Sequence, residues 1–136
     1  MLKEEITQLA KHIHQTVIHN RRHLHAHPEL SFKEYNTSAF VKARLDEMGI
    51  PWNAIANTGV VAIIKGALPS DKVIALRADM DALPITEANQ TDYASQHKGV
   101  MHACGHDAHT SSLLGTAHIL QSIKHKFGGT VKLIFQ

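Results

Sequence analysis

The segment from Asp107 to Gln136, DAHTSSLLGTAHILQSIKHKFGGTVKLIFQ, decides the fold class. Leu113, Leu114, Ala117, Leu120 and Ile123 fall at helical spacing, which predicts a helix starting near Asp107. Gly128-Gly129 ends it, and Val131 to Gln136 reads as a buried strand. Upstream, Val73-Ile74-Ala75-Leu76 is another β-rich run. Strand, helix, strand is a crossover unit, which sets the last strand beside an earlier one in a sheet. The chain is therefore expected to be α/β, a sheet flanked by helices.

Moving towards the N-terminus, residues 84–99 are polar with no clear period and read as a loop. Val60-Val61-Ala62-Ile63-Ile64 is a further strand. Gly66, Pro69, Ser70 and Asp71 separate it from Val73–Leu76, so the two runs are expected to form a hairpin. A helix over about Thr37 to Met48 turns Phe40, Val41, Leu45 and Met48 inward and stops at Gly49, with Pro51 beyond. Leu2, Ile6, Leu9, Ile13 and Val17 mark a long amphipathic helix that ends before Pro28.

Bulk properties narrow the function classes. With 136 residues, 43% apolar and 19% charged, the chain is long enough for one modest domain with a core. The net charge is +2, and Lys and Arg are scattered without interleaved aromatics, which argues against nucleic acid as a partner. The N-terminal stretch mixes charges with spaced apolar residues, so neither a signal peptide nor a membrane span is expected. A single cysteine cannot form an internal disulfide, and a cytoplasmic location is expected. The chain has 12 histidines, and six of them (His12, His14, His19, His23, His25, His27) lie in the first segment, where they read as the solvent face of a helix.

The chemistry concentrates in Met101-His102-Ala103-Cys104-Gly105-His106-Asp107-Ala108-His109. Cys104 and His106 cannot share a helix face, but they can converge across Gly105 if that residue takes an unusual backbone conformation. Thiolate and imidazole suit zinc, and imidazole also suits nickel, cobalt or manganese. A lone cysteine makes a closed structural zinc site unexpected. Two other readings stay open: a small buried cysteine beside a capping histidine, and a cysteine nucleophile with a histidine base, for which two residues of separation is poor geometry. Asp79 and Asp81 follow a strand end, where an open α/β sheet places ligands, and could hold a metal or orient an imidazole. Asp107 and His109 are candidates for the same supporting role, although Asp107 also suits a helix start. Glu87 and His102 carry weaker signals. Arg77 would be unusual in a core and is expected to pair with an acid.

Four blocks in register carry a resemblance: Arg21–Ser31, Ala75–Ile85, Met101–Thr110 and Val131–Gln136. Together they resemble the metal-dependent amidohydrolases of the M20 peptidase family, closest to its N-acyl-amino-acid amidohydrolase, hippurate hydrolase and auxin-conjugate hydrolase branch. The resemblance implies a zinc-exopeptidase-like catalytic domain carrying an inserted lid domain. It implies two divalent metals (Zn, Mn, Ni or Co), with Cys104 and His106 as ligands, Cys104 bridging, and Asp81 orienting the site. It also implies hydrolysis of the amide bond of N-acyl amino acids or small peptides by a metal-activated water, with a glutamate as general base.

The family places a glutamate pair directly after the strand matching Val131–Gln136, and none stands there. Glu29, Glu34 and Glu87 do not occupy that position. Residues 1–136 are thus expected to be the N-terminal part of an incomplete catalytic domain. The alternative is a non-catalytic fragment that at most binds a metal ion weakly. Self-association is also expected, through an uncovered edge of the terminal strand and bare helix faces.

Overall fold

A computed structural model describes residues 1–136. Helix α1 spans Leu2–Ala26 and α2 spans Tyr35–Glu47. Strands β1 (Trp52–Ile55), β2 (Gly59–Lys65) and β3 (Leu68–Ala78) follow, then helix α3 (His106–Ser122), a short 3-10 turn at Lys124–Lys126, and β4 (Gly128–Phe135). The long amphipathic helix, the second helix, the third helix and the last strand thus stand where their periodicity places them. Residues 84–99 contain no helix or strand.

The sheet order is β1-β2-β4-β3. β4 runs parallel to β3, joined to it through α3, so the crossover read from the C-terminal segment is present. The expected hairpin between the Val60 and Val73 runs is not formed. β4 lies between them and pairs antiparallel with β2. The reason is burial: β4 alternates Val131, Leu133 and Phe135 inward, and only a central position covers that row on both flanks. The hairpin of this fold joins β1 to β2 instead. Its turn uses Ala56 and Asn57 at φ 51° and 67°. The four residues of β1 carry no apolar run, so periodicity gives no sign of them. The terminal strand likewise has no free edge. The edge strands are β1 and β3, and on β3 Leu68, Val73 and Ile74 are half or more exposed.

One face of the sheet makes the core. Val60, Ala62 and Ile64 of β2 and Val131, Leu133 and Phe135 of β4 alternate onto Val41 and Leu45 of α2 and Leu113, Leu114 and Ala117 of α3. Helix α1 packs on α3. Gly115 makes that approach possible, because a Cβ there would sit 2.8 Å from Val17 Cγ2. The parallel pair fixes where chemistry can occur. Met80 N donates to Gln136 O and Gln136 N donates to Ala78 O, so β3 and β4 end together, and α3 begins above their carboxyl ends.

Candidate metal centre

At that end, Asp79, His106 and His109 bring one ligand atom each to within 4.8 Å of one another. β3 delivers Asp79 one residue past its end, and the first turn of α3 delivers both histidines. Gly105 sets the entry to α3. Its φ of 86° is left-handed, which glycine adopts without strain, and it turns the chain so that His106 and His109 face the strand ends.

The hydrogen bonds assign the imidazole faces. His106 Nδ1 donates to Asp81, 2.8 Å from Oδ1 and 2.9 Å from the backbone oxygen. That leaves Nε2 as the free lone pair in the neutral ring, 3.4 Å from Asp79 Oδ2. His109 Nδ1 donates to Asp79 Oδ1 at 2.7 Å. Ser31 donates to Asp81 Oδ2, and Thr110 Oγ1 donates to the Asp79 backbone oxygen at 2.8 Å. Burial pushes the Asp79 carboxyl up, but the hydrogen bond from His109 and the neighbouring His106 outweigh it and hold Asp79 below its usual range. Asp81 follows the same pattern: burial raises it, and the bonds from Ser31 and His106 bring it down. Both carboxylates therefore stay ionised and available to a cation.

Of the residues singled out from sequence, the fold gathers Asp79, Asp81, His106 and His109. Cys104 is exposed and lies outside the three-residue group. Arg77 is not in the core. Its side chain is about half exposed, Nη1 lies 3.6 Å from Asp79 Oδ2, and Nε donates to Gln136. Asp107 is fully buried and points away from this cluster, into a second one.

That second cluster corrects the reading of the N-terminal histidines. His12, His14 and His19 are exposed, but His25 is buried, 4% accessible, and makes contacts no surface histidine makes. Its Nδ1 lies 2.7 Å from Asp107 Oδ2, and its Nε2 lies 3.0 and 3.1 Å from the two Glu87 oxygens. Arg21 Nε reaches the same Asp107 oxygen at 2.9 Å. The available signal was position: His25 follows Leu24 and stands four residues from Arg21, at the margin of the stripe that buries Ile13 and Leu24. His102 is buried beside it, with neither ring nitrogen hydrogen-bonded.

These groups predict acid sensitivity. Burial raises the Glu87 carboxyl, but hydrogen bonds from His25, Ser95 N and Asn89 outweigh it and lower it from 4.5 to about 2. Burial pushes His102 down from 6.5 to about 4. As pH falls from 6.5 to about 4, the unfolded chain protonates His102 before the folded chain can, so stability falls. From 4.5 to about 2 the unfolded chain protonates Glu87 first, and stability falls again. Urea midpoints of the metal-free chain should drop across both windows, and Glu87→Gln should flatten the lower one. A midpoint constant from neutral pH to about 3 would contradict this.

Comparison with known proteins agrees with the fold. Residues 75–136 match the peptidase family M20/M25/M40. The chain is 48% identical to an N-acyl-L-amino acid amidohydrolase of Geobacillus stearothermophilus over all of its own length and 37% of that protein. It is 48% identical to an N-acetyl-L-cysteine deacetylase of Bacillus subtilis over 99% of its own length and 33% of that protein. Among solved structures, the Bacillus subtilis YXEP protein, described as a dinuclear metal-binding peptidase of the M20 family, superposes with a TM-score of 0.88. It is 47% identical, with 93% of this chain and 35% of that one covered. The helix-flanked sheet of this chain is thus the fold found in M20 peptidase catalytic domains. The chain belongs to the M20 peptidase family, and it spans about a third of the length of the curated relatives it matches.

Proposed function

We propose that this chain contributes the metal-holding corner of an amide hydrolase acting on N-acyl amino acids or small peptides. The convergence of Asp79, His106 and His109 at the carboxyl ends of a parallel strand pair carries the reading. One oxygen and two nitrogen donors fit a divalent cation such as zinc, manganese, cobalt or nickel, and three protein ligands are what an open catalytic site uses. Cys104, exposed and two residues before His106, is proposed as a further donor, on the strength of the Cys-Gly-His spacing. The family likeness supports a second ion beside the first.

A divalent cation bound there supplies Lewis-acid polarisation of an amide carbonyl and makes a water molecule more acidic. The chain's own part is orientation. Asp81 holds His106 by Nδ1, so that Nε2 faces the strand ends. Ser31 and the Asp81 backbone oxygen fix that pair in turn. Glu29, Glu34 and Glu87 are each engaged elsewhere than at this cluster. Glu29 accepts from Asn36 and Thr37, Glu34 from Thr58, and Glu87 from His25 and Ser95. The 136-residue chain by itself is therefore expected to show no turnover on N-acyl amino acids at any metal concentration.

The test is a chimera in which these residues replace the matching third of the Geobacillus amidohydrolase. It should hydrolyse N-acyl amino acids and lose that activity to chelators. A folded, metal-loaded chimera with no hydrolysis across an acyl-amino-acid panel would overturn the proposal. No helix is long and apolar enough to cross a membrane. We place the protein in the cytoplasm, consistent with its lone free thiol. The bare β3 edge, with Val73 and Ile74 exposed, supports self-association of the chain, which light scattering would detect as a mass above the monomer.

A further inference from the structure

We infer that His25, clamped between Glu87 and Asp107, is a positioning residue that fixes the first turn of α3 and so the placement of His106 and His109. The inference rests on the metal-centre reading above. Helix α3 has no side-chain cap: Gly105 occupies the cap position and offers none. The bonds of His106, His109 and Thr110 tie its first turn to the end of β3, and Asp107, between the two candidate ligands in sequence and 1% accessible, ties it to α1. One Asp107 oxygen accepts from Arg21 and His25 of α1, and the other accepts from Ala108 N.

His25 extends that tie to a third segment. Carboxylates without a proton only accept, so an imidazole bonded to one on each side donates from both nitrogens. Arg21 and His25 then balance Asp107 and Glu87 as two positive and two negative groups. Such a neutral set avoids leaving any buried charge uncompensated. Glu87 in turn accepts from Ser95 N at 2.7 Å and Asn89 Nδ2 at 3.0 Å, which closes the 84–99 loop onto the same ring. Tyr93 of that loop meets the His25 ring edge-on at 5.8 Å. One side chain of α1 therefore joins a structureless loop to the helix start that carries the candidate ligands. Asp81, bonded to His106 itself, is the kind of partner that commonly changes metal affinity by about 10–100-fold, and His25 acts one step further out, through Asp107.

The test reads the ligand geometry directly, on the full 136-residue chain. In the metal-free wild type, the Nδ1–H of His106, 17% exposed and bonded to Asp81, should appear as a slowly exchanging ring signal in nitrogen-edited NMR, and the ring nitrogen signal of His109, 56% exposed, should report its bond to Asp79 by its shift. His25→Gln, which can satisfy only one of its two partners well, should broaden or erase both signals while the core amide spectrum is kept. Glu87→Ala, which leaves His25 and Asp107 in place, should do the same more weakly, and it serves if His25→Gln does not fold. Co2+ titration should show lower affinity in both variants, by no more than about 10-fold, because His25 acts through Asp107 and bonds none of the ligands itself. Unchanged His106 and His109 ring signals in either folded variant would overturn the inference. If those signals respond as expected but the wild type takes up no Co2+, the metal-centre reading fails and the positioning role of His25 stands.

Discussion

His106→Ala is expected to remove Co2+ binding from the chain. The loss should exceed the roughly 10–100-fold that follows when an outer partner of a metal ligand is deleted. His106 is the one side chain through which both halves of the cluster pass. Its Nε2 faces Asp79, and its Nδ1 is held by Asp81. Alanine removes a donor and takes the imidazole away from both Asp79 and Asp81. Asp81→Asn provides the graded comparison. The ring stays, but the amide can offer Nδ1 either an acceptor or a competing donor, so affinity should fall within the 10–100-fold range of an orienting residue. His109→Ala and Asp79→Asn should each weaken binding as ligands do. Cys104→Ala should weaken it too and remove any thiolate-to-cobalt absorption. Isothermal titration of wild type and variants orders these effects. Equal affinity in His106→Ala and wild type would contradict the assignment.

The second large effect is on stability. Phe135→Ala should cost about 3–5 kcal/mol, the range for emptying a buried aromatic site. Phe135 is wholly buried, and β4 is the central strand, paired with β2 at Val60 and with β3 at Ala78. Both neighbours are themselves buried, and the surrounding sheet cannot close over the cavity without breaking one of two ladders. Against a total of about 5–15 kcal/mol for a domain, such a loss leaves a marginal protein. Phe32, 86% exposed, is the control, and its alanine variant should stay within about 0.5 kcal/mol of wild type. Urea unfolding at fixed pH measures both. A Phe135→Ala midpoint equal to that of Phe32→Ala would place the core elsewhere.

Much of this architecture is legible in the sequence because burial leaves a period. The inward rows of α2, α3 and β4 each repeat at the spacing of their element, and each is found where that spacing puts it; along α1 the row is buried only from Ile13 onward, and Leu2 and Ile6 at its start are exposed. The partner of a strand leaves no such mark. Val60–Ile64 and Val73–Leu76 are consecutive, and consecutive strands often pair. The rule fails here because β4, distant in sequence from β2 but paired with it in the register Val60↔Phe135, is the better-buried neighbour of both. β1 is invisible for the opposite reason: its residues are mostly exposed, and an exposed strand carries no apolar alternation.

The candidate site divides along the same line. Asp79, Asp81, His106 and His109 lie on two short motifs, and the crossover that joins β3 to β4 through α3 brings those motifs to one sheet end. His25 belongs to another motif, 82 residues from Asp107, and its meeting with Asp107 and Glu87 depends on how α1 lies across α3. Helical spacing identifies the face of α1 that is buried but not the acid that waits there. Cys104 carries the strongest sequence signal of all, as the only thiol, yet is exposed and not among the three residues that converge. A motif shows which atoms can bind a cation, whereas convergence of lone pairs is a property of the folded chain.

Anomalous diffraction from crystals of the chain soaked in Zn2+, collected at the zinc edge, tests the metal centre most directly. The account expects a peak enclosed by Asp79, His106 and His109, within about 2.0–2.2 Å of a His106 nitrogen and an Asp79 oxygen. Zinc bound only at other histidines, with no density in contact with His106, would contradict it.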